Sequence, residues 1–139
     1  MKLVRPQVAN RERNPMRYIC TSIVATLVLA GTTLAATITV PDDYASIQAA
    51  IDASSDGDEI HVHAGIYTDV HDGFIVNTKG KAITLKAIDG VGSAVIDGSG
   101  QWRGCSFTNG ETNDTVIDGF TIRNCNSGGP VVDGGAIWC

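Results

Sequence analysis

The chain has 139 residues, ten Lys and Arg against fifteen Asp and Glu, and a formal net charge of −5. That length is enough for one small domain. The acidic balance, with no cluster of Lys and Arg in the body of the chain, excludes a nucleic-acid binder, which must neutralise phosphates.

At the amino end, Lys2, Arg5, Arg11, Arg13 and Arg17 stand against one acid, Glu12, and an apolar run from Tyr18 to Leu29 leads into "AGTTLAA". A basic segment, an apolar segment and small residues describe a secretory signal peptide. Residues 1–35 are expected to be that signal, cleaved after Ala35 or Ala36. Met16 offers a second start, because "MRYICTSIVATLVLAGTTLAA" is a complete signal by itself. A membrane anchor fits less well: the run is short, is broken by Thr and Gly, and has no basic residues after it. Removal of residues 1–35 leaves five basic residues against fourteen acids, a net charge of −9. The mature protein is therefore expected to be secreted, periplasmic or on the cell surface, with no membrane span. Such a charge suits neutral sugars, Ca²⁺ or basic partners, and it also simply keeps a protein soluble.

Next comes "ITVPDDYASIQAAIDASSDGDE". Pro41 cannot sit inside a helix, and Asp42 or Asp43 is a suitable N-cap. Tyr44, Ile47, Ala50 and Ile51 share one helical face, and Gly57 supplies the turn that ends the element. A short amphipathic helix is predicted, with Gln48 and Asp52 facing water. From Glu59 the period changes to two, with Ile60 and Val62 alternating against His61 and His63. Further strand-like runs occupy 73–77, 82–87, 93–98, 105–109, 115–124 and 135–139, separated by Gly, Asp, Asn and Ser. Many short strands with such punctuation predict an all-β chain.

Three of these runs begin at Phe74, Cys105 and Ala136, two steps of 31 residues. A three-strand unit recurring at that interval suggests a right-handed parallel β-helix, with the short helix as its amino-terminal cap. A meander or sandwich is the alternative; it would want two-residue hairpin turns, for which "TNG" at 108–110 offers one candidate, but the dominant punctuation is Asp-Gly after a strand, repeated in phase. Ile47, Ala50 and Ile51 would close the exposed end of such a core. Stacked repeats usually number three or more with a closing cap, so residues 36–139 are expected to be the cap and first coils of a truncated domain.

The stretch 44–69, "YASIQAAIDASSDGDEIHVHAGIYTD", resembles the opening of the pectin-lyase-like right-handed parallel β-helix superfamily. The shared pattern is Ile47 to Ala53, a break at Gly57, Ile60 with Val62, and Gly65 with Tyr67. "VIDG", found twice, and "GGAIWC" are similar to repeats in the same superfamily. The resemblance implies an exported repeat protein, expected to be monomeric at full length. It does not fix an activity, and the Asp, Arg and Gln blocks of pectin methylesterases are missing.

Asp-Gly recurs at 72–73, 89–90, 97–98, 118–119 and 133–134. Stacked carboxylates could bind Ca²⁺ or activate a sugar hydroxyl, with Asp97 and Asp118 the best pair; Asp-Gly is also ordinary turn chemistry. His61 and His63, on one face of one strand, could share Cu²⁺ or Zn²⁺, and His71 could join them; two outward polar residues are the plainer account. Trp102 and Arg103, in the loop "GSGQWRGC", are the sugar-contact candidates, whereas Trp138 is expected in the core. Cys20 falls in the signal, leaving Cys105, Cys125 and Cys139, an odd number with an open pairing. Ser106 has no adjacent His to activate it. The expectation is an exported module, structural or polysaccharide-binding, without catalysis or a required cofactor. The alternatives are the front part of a polysaccharide lyase, hydrolase or pectinesterase-like enzyme with its active residues beyond Cys139, and a periplasmic metal-handling protein.

Overall fold

The computed structural model describes residues 34–127 and 135–139. The expected signal segment, up to residue 33, and the Asp-Gly pair at 133–134 lie outside the described residues. The order of elements is β1 (Thr37–Val40), α1 (Ile47–Ala53), β2 (Glu59–Val62), β3 (Gly65–Tyr67), β4 (Phe74–Asn77), β5 (Thr84–Ala87), β6 (Ala94–Asp97), β7 (Arg103–Ser106), β8 (Val116–Asp118), β9 (Thr121–Arg123) and β10 (Ile137–Trp138). Among the described residues every pairing between these strands is parallel.

The expected β-helix is corrected by the sheet topology. The strands gather into three separate small sheets, β1-β2-β5-β8, β3-β6-β9 and β4-β7-β10, and no closed solenoid results. The steps between successive partners are also uneven. In the first sheet Thr37, Glu59, Thr84 and Val116 are successive partners, at steps of 22, 25 and 32 residues. The 31-residue spacing read from the sequence is not the register either. Phe74 lies beside Arg103, and Cys105 lies between Val76 and Ile137.

Period-two patterning explains the first sheet. Ile38, Ile60, Leu85 and Ile117 lie in one cross-strand row, and Val40, Val62 and Ala87 form a second. Ile60, Val62 and Leu85 have no exposed surface; full burial of such a side chain is worth about 1.5–3 kcal/mol. The alternate rows, such as Thr39, His61, Lys86 and Asp118, occupy the opposite face. Gly119 separates β8 from β9, so the run 115–124 supplies strands to two sheets. Tight turns come from doublets in which both residues have positive φ. Asp72-Gly73 (φ 52° and 85°) closes a two-residue turn between His71 and Phe74, whose backbones exchange hydrogen bonds of 2.7 and 3.0 Å. Lys79-Gly80 repeats the device (55° and 76°). Gly takes the second place because it tolerates that conformation.

Helix α1 has seven residues, too few to persist alone in water, and it is held from both ends. Ser46, not Asp42 or Asp43, is the N-cap: its Oγ accepts from Ala49 N at 3.2 Å. Asp43 instead accepts from Thr39 N at 2.7 Å. At the other end Lys81 Nζ donates to the carbonyls of Ile51, Asp52 and Ser54, a cation where the helix dipole is negative. Ile47, Ala50 and Ile51 are buried as predicted, but Gln48 is buried too, at 1% exposure. Its Nε2 donates to Asn77 O at 3.0 Å and its Oε1 accepts from Asn77 N at 2.8 Å. The side-chain amide thus satisfies both backbone groups of Asn77 on the outer edge of β4, where a further strand would otherwise be needed.

Candidate functional site

Strand β7 opens with Arg103, and parallel pairing places it directly beside Phe74 of β4. The guanidinium carbon lies 4.2 Å from the centroid of the Trp138 ring and 5.6 Å from that of Phe74. Both aromatic faces therefore meet one cation, within the range of cation–π attraction. Among the described residues Arg103 forms no ion pair, and its Nε is buried without a hydrogen-bond partner. Trp102, immediately before it, is 42% exposed. Its backbone is fixed: the N–H donates to Gly98 O, and the carbonyl accepts from Asn126 N, each at 2.9 Å. Trp138 is half-buried and lies on the Arg103 stack, outside the buried core cluster in which the sequence places it. Sequence reading missed this contact because "GAIWC" is an apolar run, which reads as interior.

Asp97 and Asp118 are not brought together. Asp97 ends β6, while Asp118 ends β8 in another sheet, opposite Lys86. Asp97 is buried, and its carboxylate is fully engaged. Oδ1 accepts from Ser99 N at 2.8 Å, Oδ2 accepts from Arg123 Nε at 2.9 Å, and Asn124 Nδ2 reaches both oxygens. The Ser99 N–H, then Arg123 and Asn124, hold its carboxyl below the usual range against the opposing effect of burial. These contacts fasten β6 to β9 and leave little of Asp97 for a ligand.

The two histidines are tied to different carboxylates. His61 Nε2 is 3.0 Å from Glu59 Oε2. His63 lies just past the end of β2, with Nδ1 2.9 Å from Asp89 Oδ2 and Nε2 3.7 Å from Asp42 Oδ2. Among the described residues no group of three or more His, Cys, Asp or Glu side chains is placed to hold a metal ion. Cys105 is wholly buried, and burial, with Cys125 nearby, pushes its thiol up to about 12. It is protonated at neutral pH and unsuited to nucleophilic chemistry. Cys125 and Cys139 are also free thiols. Ser106 is 1% exposed, with Thr108 Oγ1 at 3.3 Å and no imidazole bonded to it. Among the described residues no helix is long and apolar enough to cross a membrane.

A planar cation between aromatic rings offers N–H donors in a fixed plane and apolar ring faces beside them. In comparisons with protein-family models, curated proteins and solved structures, the chain matches none of them.

Proposed function

We propose that the chain acts outside the cytoplasm as a non-catalytic carbohydrate-binding module, with the Phe74–Arg103–Trp138 stack and the adjoining Trp102 as its contact surface. One observation carries this reading. In a chain with fifteen acids, the guanidinium of Arg103 is clasped by aromatic rings and has no carboxylate partner among the described residues. Sugars present hydroxyls that accept from Arg and C–H faces that pack on aromatic rings. Tryptophan fluorescence gives a direct signal, since Trp102 and Trp138 are the two tryptophans of the chain.

The test is electrophoresis through gels containing soluble neutral or acidic polysaccharides, followed by titration of the one that retards the protein most. Binding is expected for at least one polymer. Trp138→Ala and Arg103→Ala should each raise Kd about tenfold, equivalent to roughly 1.4 kcal/mol. Arg103→Lys should recover only part of the loss, because an ammonium lacks the planar fork. Retardation by no polymer, or binding indifferent to both alanine variants, defeats the proposal.

A further inference from the structure

The link between β7 and β8 carries a pattern that neither the core nor the aromatic stack uses. Asn113, Asp114 and Thr115 spell Asn-x-Thr with x other than Pro, the acceptor sequence for N-linked glycosylation. In a folded protein such a sequence is usable only where the carboxamide is free and a large hydrophilic group can stand away from the surface. The structure meets both conditions. Asn113 is exposed in a turn, and its carboxamide makes no hydrogen bond to any described residue.

The turn is firmly based on either side of that residue. Thr115 N donates to Thr112 O at 3.1 Å, and Asp114 N to Thr112 Oγ1 at 3.3 Å. Behind it, the Glu111 carboxylate accepts from Thr78 Oγ1 at 2.7 Å, Gly80 N at 3.0 Å and Asn109 N at 2.8 Å. Ahead of it, Thr115 Oγ1 donates to Lys81 O at 2.9 Å. The base of the turn is therefore bound to the β4–β5 link, and Asn113 stands at its solvent side. A substituent on Nδ2 displaces no hydrogen bond to a described residue.

We propose that Asn113 is a glycosylation site whose donor is an oligosaccharide carried on a lipid diphosphate. In the reaction the Asn113 carboxamide nitrogen attacks the anomeric carbon of the first sugar. The new C–N bond forms as the anomeric C–O bond to the diphosphate breaks. The nitrogen gives up one proton, and the lipid diphosphate leaves with the bonding electron pair. No oxidant or reductant takes part. The proposal includes passage of the chain across a membrane to the side where such donors are used. It is independent of the Arg103 surface.

The full chain is made in the presence of membrane vesicles that hold an oligosaccharyltransferase and its lipid-linked donor. Protease-protected product is then examined by peptide mass. The peptide containing Asn113 should carry one oligosaccharide, removable by an amidase that converts the asparagine to aspartate. Asn113→Gln and Thr115→Ala should abolish the modification, while Thr115→Ser should keep it. Asn113→Gln loses no hydrogen bond to a described residue, so its product should remain as protease-resistant as the parent once the glycan is removed. Protected chains with an unmodified Asn113 would overturn the proposal. So would a glycan that survives Asn113→Gln, or failure of the chain to become protected at all.

Discussion

His63 has a carboxylate near each ring nitrogen, and this sets its charge. The hydrogen bond to Asp89, and then the negative charges of Asp89 and Asp42, raise its proton affinity above that of a free imidazole, against a smaller opposing effect of desolvation. Asp89 moves the other way: the Ala64 N–H, donating at 2.8 Å, and then His63 hold its carboxyl below the ordinary value. The linkage has a definite sign. A histidine with a raised folded-state value gives stability that is complete below the ordinary value near 6.5 and is lost as pH rises through the folded one. Asp89 gives stability that is complete above its ordinary value and is lost as pH falls through the lowered one. The pair is thus firmest in mildly acidic solution, and alkali loosens the Asp42 side first, since neutral His63 has one proton to donate and Asp89 is the closer acceptor. An NMR titration of the His63 ring should show a midpoint above 6.5, and Asp89→Asn should lower it. An unchanged midpoint in that variant would rule the pairing out. The alternation of His61 and His63 was legible in the sequence. Their separate partners were not: Asp89 is 26 residues from His63, and no local period reveals a contact at that range.

The amino-terminal helix shows where pattern reading succeeds and where it stops. Ile47, Ala50 and Ile51 fall on one face by spacing alone, and all three are buried. Gln48 scores as polar in any such pattern, so it is assigned to water. In the fold its amide has the complementary donor and acceptor needed by the strand edge at Asn77. Gln48→Ala should leave that N–H and C=O without partners and destabilise the chain by about 2–4 kcal/mol, within the range for losing buried hydrogen-bond partners. Gln48→Glu should be damaging as well, because a carboxylate cannot donate to the carbonyl. Urea unfolding of the full chain checks both; an effect under about 0.5 kcal/mol for the alanine variant, the level of a neutral surface change, would show the edge satisfied in another way. The N-cap was displaced for a similar reason. Asp42 and Asp43 are good capping residues, but Ser46 stands immediately before the first helical residue, and Asp43 is engaged at Thr39.

Across the whole molecule, protection should follow the sheet order. Strands β2, β5, β6 and β7 have a strand on either side, whereas β3, β8 and β9 each have one partner among the described residues. Amide exchange should therefore be slowest in peptides covering 84–87 and 94–97 and faster in those covering 116–123, because an unpaired edge opens at lower cost. Equal protection of β6 and β9 would contradict that order. The all-β content and most strand positions were readable from alternating residues and their Gly and Asp punctuation. The closed solenoid was not a safe extension, because equal spacing at Phe74, Cys105 and Ala136 is not equal register: Cys105 is paired with Val76 and Ile137. Strands β1 and β3 were missed as separate elements, one lying before the helix and the other only three residues long.

Those uneven steps have a bearing on how the chain can vary. Neighbouring strands recognise each other through two to four residues, while the tether from one partner to the next in the first sheet changes from 22 to 32 residues. Each further doubling of a flexible tether adds only about 0.6 kcal/mol of closure entropy. Interstrand segments are therefore natural places for insertion or grafting, and the scaffold can carry new surface sequence there without re-registering the strands beneath.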